Sequence, residues 1–174
     1  MAELMVRMAE IAASQHPGDV LVSLGLGSCV GVALMDDSRR AVGLAHVVLP
    51  SSSEASANRG SAPKFADTAI PLLIEEVSNL GAARRSLFAV LVGGAQMFSL
   101  GGGSNLDVGN RNAHAVREAL RLAGVPVRAE VTGGSVGRTI RAHVGTGLVT
   151  CKEAGGKETD VLAGLGPILE AKAA

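Results

Sequence analysis

The sequence has almost nothing on which to stack a base: three Phe, no Tyr and no Trp among 174 residues. It has no excess of either charge, with 16 Lys and Arg against 16 Asp and Glu. That balance argues against a protein whose task is to grip a phosphate backbone. No apolar run approaches the ~18–20 residues of a membrane span. The opening MAELMVRMAEIAASQ scatters Glu3, Arg7 and Glu10 among its apolar residues, which is not the layout of a secretory signal. Two cysteines make no disulfide framework over this length. These absences point to a cytoplasmic protein with reduced thiols, with no membrane insertion and no nucleic-acid partner. With no obvious exposed apolar helix, a monomer is expected.

Ligand spacing is missing too. His16, His46, His114, His143, Cys29 and Cys151 fall into no C-x-x-C or H-x-x-x-H pattern, so no metal and no cofactor is expected. Gly25-Leu26-Gly27 starts like a dinucleotide loop. The next glycine is Gly31, however, and a strand pattern follows where a phosphate site needs a helix N-terminus. Gly101-Gly102-Gly103-Ser104 is not followed by the lysine of a phosphate loop and reads as a flexible turn.

What is present is apolar material, 47% of the residues, enough for the core of one domain over 1–174. Runs 20–24, 29–35, 41–49, 86–92, 127–131 and 139–151 read as strands. Asp36-Asp37-Ser38 is turn chemistry, which makes the second and third an antiparallel hairpin. PSSSEASANRGS (50–61) reads as a surface loop. Ile70, Leu73, Ile74, Val77 and Leu80 repeat at helical spacing up to Gly81, with Pro71 as a kink or a second start. A second helix spans about 111–123, with Asn112 as its cap and Gly124 as its stop. The tail, about 153–174, is peripheral: a frayed hairpin or loop, with VLAGLGPILEA apolar enough to dock weakly. Strands that cluster in hairpins, with two helices, predict an α+β fold: a mostly antiparallel, sandwich-like sheet with both helices on one face.

Cys29 alone reads as a small buried hydrophobe. Its place changes that, because it follows Gly27-Ser28 where a turn meets a strand. Turn N–H groups of Gly27 and Ser28 beside the sulfur would favour a thiolate or an oxyanion. His46 lies in GLAHVVLP on the partner strand of the hairpin, nearly opposite Cys29. A Cys–His pair is the minimum for a thiol nucleophile, because the imidazole takes the proton. A third group should orient that imidazole. Ser23 offers a hydroxyl six residues before Cys29; a solvent-facing strand serine is the competing reading. His114 and His143 read as exposed, and Cys151 as inert and not disulfide-bonded to Cys29.

Six blocks, LGLGSCVGV, GLAHVVLP, KFADTA, GGAQMF, VGNRN and TGG-x-x-GR, resemble in order the CheD family of chemotaxis proteins, from about Val20 to about Gly147. The resemblance implies a chemoreceptor glutamine deamidase with an α/β sandwich-like fold. It implies that Cys29 is the nucleophile and His46 its base. Ser23 stands where the family usually has threonine. The implied substrate is the cytoplasmic helical region of a methyl-accepting receptor, with glutamyl methyl esters as a second substrate, and a CheC-type phosphatase is the implied partner. A different class of function, a mainly non-catalytic adaptor for that phosphatase, is the alternative. GGAQ and VGNRN match blocks of the family without a role that the residues themselves suggest.

Overall fold

The computed structural model describes residues 1–38, 41–54, 60–97 and 107–163. In chain order the strands are β1 (Glu3–Met5), β2 (Ile11–Ser14), β3 (Val20–Leu26), β4 (Val30–Asp36) and β5 (Val42–Val47). Helix α1 (Ala66–Asn79), β6 (Leu87–Gly93) and helix α2 (Val108–Leu122) follow. The chain then forms β7 (Val127–Thr132), β8 (Arg138–His143), β9 (Val149–Glu153) and β10 (Glu158–Asp160). They make two five-stranded sheets, ordered β1-β3-β8-β9-β10 and β2-β5-β4-β6-β7. Pairing is antiparallel except for β1 with β3 and β6 with β7.

The second sheet is central. Along β4, Val30, Val32 and Leu34 join Ile70, Leu73, Val116 and Leu120 of the two helices. The alternate residues Ala33 and Met35 join Leu21, Ile140 and Ala142 of the other sheet. A strand covered on both faces needs apolar residues at every position, which is why β4 and β6 read as continuous runs. All seven residues of each are buried. The result is three layers, helices on sheet on sheet. This is the expected α+β arrangement with both helices on one face.

Some expectations are corrected. The run 139–151 is two strands, β8 and β9, because the chain turns where the Gly147 N–H (φ +66°) donates to the His143 carbonyl at 2.8 Å. α1 is one helix that starts at Ala66 and runs through Pro71, which withholds one N–H from the ladder. Asn112 is not a cap. It lies inside α2, and Asp107 is the cap, accepting the Asn110 N–H at 3.2 Å. Strands β1 and β2 appear where no element was expected. The tail does form a hairpin, β9 with β10. Gly101–Ser104 and all but the first residues of VLAGLGPILEA lie outside the described residues.

Close approach of α1 to the central sheet depends on Gly43 in β5. A Cβ there would lie 2.6 Å from Val77 Cγ1 and 2.7 Å from Leu73 Cδ1. Both neighbours are wholly buried, so the helix must back away. Gly43→Ala should therefore lower the free energy of unfolding by about 1–3 kcal/mol, read by chemical denaturation. An unchanged midpoint would mean that the helix layer is compliant there.

Candidate functional site

The chain passes from one sheet to the other through three residues, Gly27-Ser28-Cys29, between the ends of β3 and β4. Cys29 ends this crossing, 8% exposed, with its side chain in the apolar layer between the sheets. His46 sits on β5, where it pairs with Gly31 of β4. Cys29 is two residues before Gly31, so Cys29 and His46 fall on the same face as diagonal neighbours. Gly31, directly opposite the imidazole, has no side chain, and a Cβ there would lie 2.9 Å from both Ile140 Cγ2 and Leu26 Cδ1.

The other sheet supplies the third group. Ser23 on β3 is wholly buried, not solvent-facing. Its Oγ lies 2.7 Å from the Val6 carbonyl and 2.7 Å from His46 Nδ1. A carbonyl brings no proton, so the serine hydroxyl must donate to Val6 and accept from Nδ1–H. That assigns the tautomer: the proton is on Nδ1 and the lone pair on Nε2. Nε2 is buried and makes no hydrogen bond among the described residues, so the Cys29–His46 hydrogen bond is not closed in this structure. Nucleophile–base bonds commonly tighten only when substrate binds.

Burial also sets the resting charge. It pushes the Cys29 thiol up, against a smaller lowering by the residue's own backbone N–H. It pushes the His46 imidazole down, against smaller raising effects from the Val6 backbone and the Glu10 charge. The pair therefore rests as neutral thiol and neutral imidazole, a base ready to take a proton.

Sequence reasoning missed three parts of the site. One is the turn before β2: Val6 receives Ser23, the Ala9 N–H donates to the His46 carbonyl at 3.1 Å, and the His46 N–H donates to the Glu10 carbonyl at 3.0 Å. Strands of three and four residues leave too little pattern to read. The second is the segment after β6. The Gly94 N–H donates to the Cys29 carbonyl and the Ala95 N–H to the Gly27 carbonyl, both at 2.8 Å. The GGAQ block was the available signal. The third is Asn112, wholly buried, whose Nδ2 donates to the Ser28 carbonyl at 2.9 Å and the Val48 carbonyl at 2.8 Å.

The turn is thus held by its carbonyls. The Gly27 N–H goes to the Gly25 carbonyl at 3.0 Å. Those of Ser28 and Cys29 meet no described acceptor except the Cys29 sulfur itself. Two adjacent amides beside a thiol, with no acceptor outside the turn among the described residues, can hold a developing oxyanion. Gly27 and Ser28 are half-buried, and the Met97 side chain occupies the space that a Cβ on Gly27 would need, 2.6 Å from its sulfur. His114 is exposed, His143 is half-buried, and Cys151 is buried with a free thiol. Among the described residues no cluster of ligating side chains could hold a metal ion, and no helix is long and apolar enough to cross a membrane.

The family of CheD chemotactic sensory transduction proteins matches residues 48–153. A protein of Caldanaerobacter subterraneus subsp. tengcongensis, named "Probable chemoreceptor glutamine deamidase CheD", is 43% identical over 153 residues, covering 87% of this chain and 93% of that one. The chain belongs to the CheD family. A second CheD relative of the same name, from Clostridium botulinum strain Hall, is 41% identical over 154 residues, covering 88% of this chain and 94% of that protein. Among solved structures, Neisseria meningitidis protein NMB0706 of the family DUF152 aligns with a TM-score of 0.44 at 11% identity, over 76% of this chain and 63% of that one.

One glycine after β6 can be tested directly. Gly93 has φ +120°, and a Cβ there would lie 2.3 Å from the Cys29 carbonyl oxygen. Both backbone strain and the clash act on the turn that carries the thiol. Gly93→Ala is expected to cost about 2 kcal/mol or more of stability, and to speed alkylation of Cys29 by iodoacetamide as the turn loosens. Unchanged values of both would show that the turn does not depend on this contact.

Proposed function

We propose that this chain is a chemoreceptor glutamine deamidase, in which Cys29 is the nucleophile, His46 the general base and acid, and Ser23 the group that orients the imidazole. The observation that carries the reading is the Ser23 hydroxyl at 2.7 Å from both Val6 O and His46 Nδ1, which leaves Nε2 as a buried lone pair on the face it shares with Cys29. The names of the CheD relatives supply the reaction and the receptor as substrate.

The steps follow from these groups. His46 Nε2 takes the thiol proton as Cys29 Sγ bonds to the side-chain carbonyl carbon of the glutamine. The oxygen, now negative, is held by the N–H groups of Ser28 and Cys29. The imidazolium gives its proton to the nitrogen, the C–N bond breaks and ammonia leaves. Water then adds to the thioester with Nε2 again as base, and the C–S bond breaks to give glutamate and the free thiol. A glutamyl methyl ester presents the same carbonyl with a better leaving group and enters the same steps. The adaptor reading, with a CheC-type phosphatase as the partner, predicts binding without chemistry.

Receptor cytoplasmic fragments incubated with the protein should show glutamine converted to glutamate by mass spectrometry. Cys29→Ala should abolish the conversion, His46→Ala should slow it about 10²- to 10⁴-fold, and Ser23→Ala should slow it about tenfold, the worth of one hydrogen bond. Unchanged glutamines with wild-type protein, together with tight phosphatase binding, would favour the adaptor. Full activity in Cys29→Ala would overturn the mechanism.

A pH profile tests the base. The reaction needs His46 neutral, and burial holds its folded pKa below the ordinary histidine value. The acid limb of kcat/KM is therefore expected below about pH 6.5. A limb above that value would mean that a retained proton, not burial, dominates the imidazole.

A further inference from the structure

The ladder between β4 and β5 ends at the pair Val30 and Val47. Beyond it the strands part. Ser28 and Cys29 lead back to β3, while the Val48 N–H turns to the Lys64 carbonyl at 2.9 Å. The carbonyls of Ser28 and Val48 are left at the fork, and the Asn112 amide donates one hydrogen to each, at 2.9 and 2.8 Å. The flipped amide would set Oδ1 against two carbonyl oxygens, so the donor orientation is fixed. Oδ1 itself has no described partner, although the residue is wholly buried. An apolar residue there would spare Oδ1 but leave both carbonyls without their donor, so the amide answers the fork and not packing alone.

The consequence for the thiol turn comes from peptide geometry. No cis peptide bond is present among the described residues. In a trans peptide the C=O of one residue and the N–H of the next lie in one plane and point opposite ways. The bond from Asn112 to the Ser28 carbonyl therefore aims the Cys29 N–H away from α2. In the same way the bond from the Ala95 N–H to the Gly27 carbonyl aims the Ser28 N–H.

We propose that Asn112 is a positioning residue that aims the Cys29 backbone N–H as an oxyanion donor and ties the nucleophile's turn to the His46 strand. The proposal rests on the Cys29–His46 reading above. It gives the helix layer a part in the chemistry: α2 touches no reacting atom, yet one of its side chains sets the direction of a donor that does.

The test uses the full chain with Asn112→Leu and Asn112→Asp, of similar size but without the two donated hydrogens. Deamidation of receptor fragments is measured as kcat and KM separately, and Cys29 alkylation by iodoacetamide is followed across pH in a Cys151→Ser background. Donors that act on the oxyanion raise kcat, not ground-state affinity. Each variant is therefore expected to lose about 10- to 100-fold in kcat with KM within about twofold. The alkylation curve should move to higher pH, because the same N–H favours the thiolate. Asn112→Gln, which keeps the donors on a longer stem, should recover part of kcat. An unshifted alkylation curve with full kcat, in variants that fold, overturns the proposal. So does failure of both donor-free variants to fold, which would make Asn112 a residue of the fold alone. Full activity of Cys29→Ala would overturn the underlying reading instead, and that control separates the two.

Discussion

Everything at the site depends on a hydroxyl that owns one proton. Ser23 Oγ stands at 2.7 Å from two atoms, and one of them, the Val6 carbonyl oxygen, can only accept. The proton of Ser23 is committed there, so the proton between serine and imidazole must come from His46. This small constraint decides the tautomer of a ring on the other sheet, whose Nδ1 itself lies 3.4 Å from the same carbonyl oxygen. It holds only while β1 and β3 run side by side and both sheets keep their spacing. The apolar layer between the sheets therefore also sets the chemistry: it fixes the distance from Ser23 to His46 and keeps water from competing for Nδ1.

Two sets of constraints then meet at Cys29. From the sandwich come the base and its orientation. From the segment after β6 and from α2 come the bonds that pin the carbonyls of Gly27, Ser28 and Cys29, one each to Ala95, Asn112 and Gly94. Three consecutive carbonyls held in this way fix the peptide planes of the turn, and with them the directions of the amides that follow. Small residues make this approach possible. Gly109 lets the start of α2 pack against the segment after β6, where a Cβ would lie 2.4 Å from the Ala95 carbonyl oxygen. The glycines of the GGAQ and VGNRN blocks act as spacing, not as hinges or phosphate loops.

Much of this was legible in the sequence because it rests on periodicity. Continuous apolar runs gave the doubly covered strands, helical spacing gave the buried faces of α1 and α2, and the turn at Asp36 gave the hairpin that puts His46 near Cys29. What was hidden rests on contacts between distant segments. Ser23 carries no mark that distinguishes a buried serine from a surface one until β1 is laid beside β3. Asn112 reads by local rules as a helix cap, since a cap and a clamp use the same amide. Only the close approach of α2 to the fork of β4 and β5 separates them. The break between β8 and β9 falls at Gly145-Thr146-Gly147, two glycines whose turn signal is diluted by the strand-forming residues on both sides.

The division of labour has a consequence for how the site tolerates change. A neutral thiol and a neutral imidazole in an apolar layer hold no charge at rest, so this pair adds no buried ion to the sandwich. Charge appears only during reaction, on the imidazole and on the substrate oxygen. The first is met by Ser23 and Val6, and the second falls to the amides of the turn. Each charge is thus answered by a different part of the fold. The preorganisation lies in backbone groups fixed by the fold, which is why so few side chains of this chain carry chemistry and so many of its glycines sit beside those that do.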